Sequence, residues 1–334
     1  MLLKVLKSNQ PFHFLLIPLI AVALWVKSFV HAKAFPFYAG EDMMILYKPI
    51  SYLLGDNLFL SNIVALIFTI LLAFLVLKLN VQYAFIKAKT SLPPTLFILI
   101  ASGMPDLHGM HPVYPATLFL VLAIDRIFNS IENEIIHSNA FESGIFLAIG
   151  SLFYLNLVFF FPILWFGFII IKPKVNWREY FLTVLGFAMP WLATLTYYSF
   201  AGIENELWYT LQMNFTSHQT FIRDNLPIQI FIGYLVLLTL LGSFFFLAQY
   251  DGKRISSRKF FKVFFWIFLI SVVLIIANPA VSQEIIIILA LPLTYLISNY
   301  LILMRRQFWG EVILYLLIAA VAFLQFSWQL PKFW

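Results

Sequence analysis

The chain has 334 residues, of which 62% are hydrophobic, 19% aromatic and only 11% charged, with a net charge of +6. Soluble globular proteins carry about 25% charged and about 45–50% apolar residues, so a water-soluble fold cannot hide this much apolar surface and the excess must face lipid. The absence of cysteine excludes disulfides, iron–sulfur clusters and thiolate zinc sites, and the small, dispersed positive charge excludes the concentrated basic patch of a nucleic-acid binder.

A helix needs about 20 residues to cross the ~30 Å hydrocarbon core. In chain order the apolar segments are 12–30, 60–79, 92–104, 112–129, 142–157, 159–172, 180–199, 228–249, 261–277, 284–302 and 312–329, eleven predicted spans of an all-α, polytopic transmembrane bundle. Three of them, 92–104, 142–157 and 159–172, are short enough to be half-membrane or re-entrant pieces, which are tolerated only where protein or a wet cavity covers them. If the N-terminus is cytoplasmic and the spans alternate, sixteen of the 21 Lys and Arg face the cytoplasm and five (Lys27, Lys33, Lys48, Arg223 and Lys332) lie outside. That is the positive-inside bias. It places the C-terminus outside, and the expected location is a bacterial inner membrane. Lys4 and Lys7, the apolar run from Phe14 to Val26 and Ala32-Lys33-Ala34 also fit a cleavable signal peptide; the spanning helix is the preferred reading. No nucleotide-binding fingerprint or soluble domain is present, so residues 1–334 form one membrane domain with outer loops 31–59, 104–111 and 200–227.

Ionisable residues inside a span are functional candidates, and the span centres hold almost none. Asp125 and Arg126 sit near an inner helix end, and Glu284 at an outer helix start, where a carboxylate suits the helix dipole. The outer loops are richer. Glu41 and Asp42 stand between apolar stretches; a carboxylate held near lipid loses hydration, which raises its pKa and suits general-base work, or one of the pair simply caps a short interfacial helix. Asp106, His108 and His111 give a D-x-H-x-x-H spacing whose oxygen and imidazole donors suit a divalent ion, Mn²⁺ or Mg²⁺ before Zn²⁺. Their other reading is a proline-bounded turn satisfying helix ends. The last large loop carries Glu204, Glu206, Trp208, Tyr209, His218 and Arg223, a wall for substrate or an amphipathic interfacial helix. Arg223 and Lys48 are the candidate cations for a lipid phosphate.

This pattern resembles the GT-C membrane glycosyltransferases, which use polyprenyl-phosphate-linked sugars. Glu41-Asp42, with Tyr47 and Leu53-Leu54-Gly55 behind it, looks like their first acidic motif. Asp106-Leu107-His108 falls where some members carry a second, metal-binding motif, with a histidine where a second aspartate is common. The stretch from Ser143 through Gly144 and Gly150 to Phe161-Pro162 looks like their glycine-containing short helix pair, and 200–227 occupies the place of a substrate-facing loop. The likeness implies Asp42 or Glu41 as the base toward the acceptor, Asp106, His108 and His111 around a metal ion, and Arg223, Lys48, Glu204, Glu206 and His218 lining the substrate. Its partners would be membrane lipid and the polyprenyl-linked donor. The overall style also resembles an uncharacterised inner-membrane family of Bacteroidota, a likeness that implies no particular activity. Two other functions fit: a non-catalytic membrane subunit of a cell-envelope assembly with protein partners, and a lipid or polymer transporter.

Overall fold

A computed structural model of the chain describes residues 2–7, 12–35, 37–38, 40–86, 90–131, 135–172, 174–217, 225–248, 254–304 and 306–327. His218 and Arg223 fall outside the described residues. Among the described residues fourteen α-helices run in order: α1 Leu2–Lys7, α2 Phe12–Val30, α3 Lys48–Leu54, α4 Leu58–Tyr83, α5 Leu92–Ala101, α6 Val113–Asn129, α7 His137–Phe153, α8 Phe161–Ile171, α9 Trp177–Phe200, α10 Glu204–Thr216, α11 Leu226–Ala248, α12 Ile255–Ala277, α13 Ile285–Leu303 and α14 Gln307–Ser327. Short 3₁₀ turns cover Pro105–His108 and Leu155–Phe160, and no strand occurs among the described residues.

Among the described residues each of the eleven apolar segments overlaps a helix, and 142–157 runs past the end of α7 into a 3₁₀ turn. Six are long and apolar enough to cross a membrane: α4, α9, α11, α12, α13 and α14. The segment 92–104 shortens to the ten residues of α5, about 15 Å of helix at 1.5 Å per residue and half the hydrocarbon core. Local sequence explains both of its ends: Pro93 and Pro94 sit in the first turn, where a missing N–H costs nothing, and the chain then turns into the 3₁₀ segment.

The centre of the molecule is α13, 89% buried along its spanning window and packed against α5, α11 and α12. A helix apolar on all sides belongs inside other helices, and the first half of α13, from Ile285 to Leu293, is made only of Ile, Leu, Ala and Pro. Near one end of the bundle, which we call the far end, Phe85, Phe128, Phe260, Phe264 and Tyr295 interlock edge to face and stacked, with ring centroids 4.4–5.4 Å apart. Asp125 accepts from Tyr83 at 2.7 Å and Arg126 pairs with Glu142 at 3.2 Å, so both ionisable residues of α6 are matched locally. α7 and α9 cross closely because glycines meet there. A Cβ on Gly144 would lie 2.4 Å from the Thr183 carbonyl oxygen, and one on Gly186 2.2 Å from that of Phe141.

Candidate functional site

The opposite end, the site end, gathers four loops that are remote in sequence. Trp25 of α2 donates to Ser102 Oγ at 2.9 Å and stacks on His108 with centroids 4.1 Å apart, which pins the loop after α5 to α2. Tyr47 donates to the Met110 carbonyl at 2.8 Å, and the Leu46 N–H reaches the Leu152 carbonyl at 3.3 Å. The first loop is therefore held on the 102–112 turn and on the end of α7. Asn278 donates to Asn156 at 3.0 Å, joining the loop before α13 to the 3₁₀ turn after α7. From the outside, Asn214 of α10 donates to the Gly40 carbonyl at 2.6 Å. Gly40 has φ +95°, and a Cβ there would lie 2.8 Å from Asn214 Nδ2, so glycine is required both by backbone and by contact.

Four ionisable groups meet where these loops converge. Glu41, 3% exposed, turns inward and its Oε2 lies 3.6 Å from His111 Nε2. His111 is fully buried against Phe35 and Phe37, and its Nδ1 accepts the Val113 N–H at 3.1 Å, so the ring proton is on Nε2 and faces Glu41. Glu284, also fully buried, accepts on Oε1 from the Tyr154 phenol and the Ser282 N–H, both at 2.8 Å, while its Oε2 has no hydrogen-bond donor. It makes no capping bond to the first turn of α13. Burial, and after it the charge of Glu41, push the Glu284 carboxyl well above the ordinary carboxylate range, against the opposing N–H and phenol bonds.

Beside this cluster lies a polar cleft of about 60 Å³ between the ends of α2, α4 and α14, lined by Lys27, His31, Lys33, Asn62, Asp106 and Gln325 among others. Asp106 faces Lys33 and Gln283. Burial raises its carboxyl above the ordinary value, with the Lys33 charge and the Gln283 hydrogen bond pulling the other way. Lys27 donates to the Gln325 carbonyl, and Gln325 in turn donates to Ser102 at 3.0 Å.

The sequence-level candidates therefore separate. Glu41 and His111 come together, and Asp106 lies close by through Gln283. Asp42 stays half-exposed on the same turn, its charge reaching Tyr47. His108 turns the other way: Nδ1 meets Ser28 Oγ at 2.5 Å and Nε2 meets the Ser102 carbonyl at 3.2 Å. With both nitrogens engaged, His108 does not complete a divalent-ion site with Asp106 and His111, and among the described residues no three His, Asp or Glu side chains are arranged to hold a metal ion. Lys48 pairs with Glu206 on the exposed surface. Glu204 is exposed at the start of α10, where both acidic residues complement the helix dipole. Tyr154 and Asn214 carried no signal in the sequence, whereas the polar triplet Ser282-Gln283-Glu284 between two apolar helices is one that could have pointed to the site.

Fold and site together define a polytopic helical membrane protein with a buried carboxylate–histidine cluster at one end of its helices. Residues 43–334 match DUF6427, a family of unknown function, and the chain belongs to that family. Glu41 and Asp42 stand just ahead of the matched stretch; Asp106, His111, Tyr154 and Glu284 fall within it. No curated protein and no solved structure matches the chain.

Proposed function

We propose that this protein is a membrane transferase of the GT-C type, moving a sugar from a polyprenyl-phosphate donor to an acceptor at the outer face of a bacterial inner membrane. In this reading all eleven apolar segments enter or cross the bilayer, the N-terminus is cytoplasmic, the C-terminus is outside, and the site end is the outer end. The charge sorting of Lys and Arg supports that orientation.

The observation that carries the reading is the cleft, in which Asp106 shares one small volume with Lys27, His31 and Lys33. A desolvated carboxylate suits proton abstraction, and cations beside it suit a departing phosphate. The acceptor hydroxyl oxygen attacks the anomeric carbon, Asp106 takes the hydroxyl proton, and the bond from that carbon to the phosphate oxygen breaks. The lipid phosphate leaves with the electron pair toward Lys27 and Lys33, and its prenyl chain stays in the bilayer alongside α2 and α14. These cations take the part that the sequence assigned to Arg223 and Lys48. Asp106, His108 and His111 as placed do not fit a divalent ion, so no step is routed through one.

Purified protein in vesicles, given short-chain polyprenyl-phosphate sugars and an acceptor mixture, tests this. Asp106→Asn should lower transfer about a hundredfold or more, while Lys33→Ala should mainly weaken the donor KM. Full transfer by Asp106→Asn overturns the reading. The complete burial of His111 and Glu284 favours a second one, a transporter or a non-catalytic envelope subunit whose cluster serves the fold rather than a substrate. Purification in mild detergent separates the two: stoichiometric partner subunits favour the subunit, and a free monomer carrying polyprenyl lipid favours the transferase.

A further inference from the structure

We propose that Glu41, His111 and Glu284 form one proton-binding site that seats the first loop on the N-terminal end of α13. This stands apart from the transfer reading and survives its failure.

The geometry brings two carboxylates and an imidazole into one enclosed site. Glu41 comes from the first loop, His111 from the turn before α6 and Glu284 from the residue ahead of α13, and none is more than 3% exposed. Phenols face them from three sides: Tyr38 and Tyr154 lie against both carboxyls and Tyr47 against Glu41, while Asp106 faces Tyr38. Lys33 lies toward Asp106. His111 has spent Nδ1 on the Val113 N–H, and its Nε2, which has no hydrogen-bond partner, is the N–H aimed at Glu41. Glu284 Oε2 is a buried acceptor without a donor. Two ionised carboxylates in one enclosed site repel each other and lack the hydration that would screen them, so such pairs hold a shared proton. The proton belongs on Glu284, the more enclosed of the two, because Glu41 already faces the imidazole N–H. When that proton leaves, the new charge on Glu284 opposes Glu41, and Glu41 rides on a loop attached by a few hydrogen bonds, those of Tyr47 and Gly40 among them. Loss of the proton therefore loosens the loop.

Infrared titration of the purified protein tests the site. The carbonyl band of a protonated carboxylic acid should persist in wild type above the pH at which an exposed glutamate ionises. It should vanish in Glu284→Gln and remain in Asp106→Asn. Absence of the band, or its survival in Glu284→Gln, overturns the proposal. Should Glu284→Gln fail to fold, Glu41→Gln serves, because removing the neighbouring charge must move the band's midpoint to lower pH; an unmoved midpoint overturns it. Replacing sodium by potassium should leave the midpoint in place, and a shift would mean that the site takes a metal cation instead. A spin label on Met43→Cys, in a chain with no native cysteine, reads the loop. Its mobility should rise with pH in wild type and stay flat in Glu284→Gln, and a label that stays immobile in wild type across the titration overturns the seating.

Discussion

The Tyr154 phenol donates to Glu284 Oε1 at 2.8 Å, joining the end of α7 to the start of α13 across 130 residues of chain. Both partners are buried, so the bond cannot be replaced by bulk water. Tyr154→Phe should destabilise the protein by about 1–3 kcal/mol, the cost of a buried acceptor losing a donor. The same bond favours the ionised carboxyl. Its removal should therefore raise the Glu284 midpoint further, shifting the carboxylic-acid band to higher pH. A thermal melt in detergent and the infrared titration measure the two effects separately.

The clamp of α10 on the first loop should be more sensitive to Gly40 than to Asn214. Asn214→Ala removes hydrogen bonds to the Gly40 and Thr210 carbonyls and should lower stability by about 1–2 kcal/mol. Gly40→Ala adds a left-handed backbone penalty to a direct clash with Asn214, so its loss should exceed that of Asn214→Ala. The neighbouring Lys48–Glu206 pair is half-exposed, and breaking it should cost no more than about 1 kcal/mol. Melting temperatures of the single variants give the order, and a Gly40→Ala protein as stable as wild type would remove the clamp.

The α7–α9 crossing should reject any side chain at its two glycines. Gly144→Val and Gly186→Val each drive atoms into a backbone carbonyl at well under contact distance, and backbone cannot yield as a flexible side chain can. Folded yield should collapse in both. Gly233→Ala on α11, whose new Cβ meets nothing within 4 Å, should express and melt like wild type. Size-exclusion profiles of the three variants check this.

His108 should give the protein an acid-sensitive limb. Burial holds its ring neutral and lowers its pKa from 6.5 to about 4, while in the unfolded chain it protonates at the ordinary value. The unfolded state therefore binds the proton first as pH falls. Stability is whole above the unfolded pKa, declines as pH drops toward about 4, and stops declining below it, for a total of about 3 kcal/mol. His108→Phe keeps an aromatic ring for Trp25 to stack on and removes the titration. The difference in melting temperature between wild type and His108→Phe should shift in favour of the variant on acidification. A difference independent of pH would mean that the ring is not held neutral by burial.

The class of this protein was legible in its sequence because hydropathy is a local, additive property. A run of about twenty apolar residues suits a membrane whatever its neighbours do, so six of the apolar segments are helices long and apolar enough to cross one, and the near-absence of charge in the span centres marked the loops as the place for chemistry. Even α5's reduced length was foreshadowed, through Pro93 and Pro94 and the turn residues that follow Ala101. Which loop residues would meet was another matter. Glu41 and Asp42 are adjacent and chemically alike, yet one is buried against His111 and the other half-exposed, because a turn of the first loop sends successive side chains in different directions. His108 and His111 are three residues apart, and the 3₁₀ turn with the bend after it aims one at Trp25 and Ser102 and the other at Glu41, a divergence that their spacing along the chain does not show. Glu284, read from position alone, suits a helix dipole; only the packing of α13 at the centre of the bundle, with the first loop folded over its start and Tyr154 beside it, encloses that carboxyl and makes a second charge next to Glu41 costly. Sequence alone thus determined that the chain lives in a membrane and that its polar residues collect in particular loops. Tertiary structure decided which of them lose their water together, and desolvation of one charge beside another depends on contacts across more than a hundred residues that no local pattern encodes.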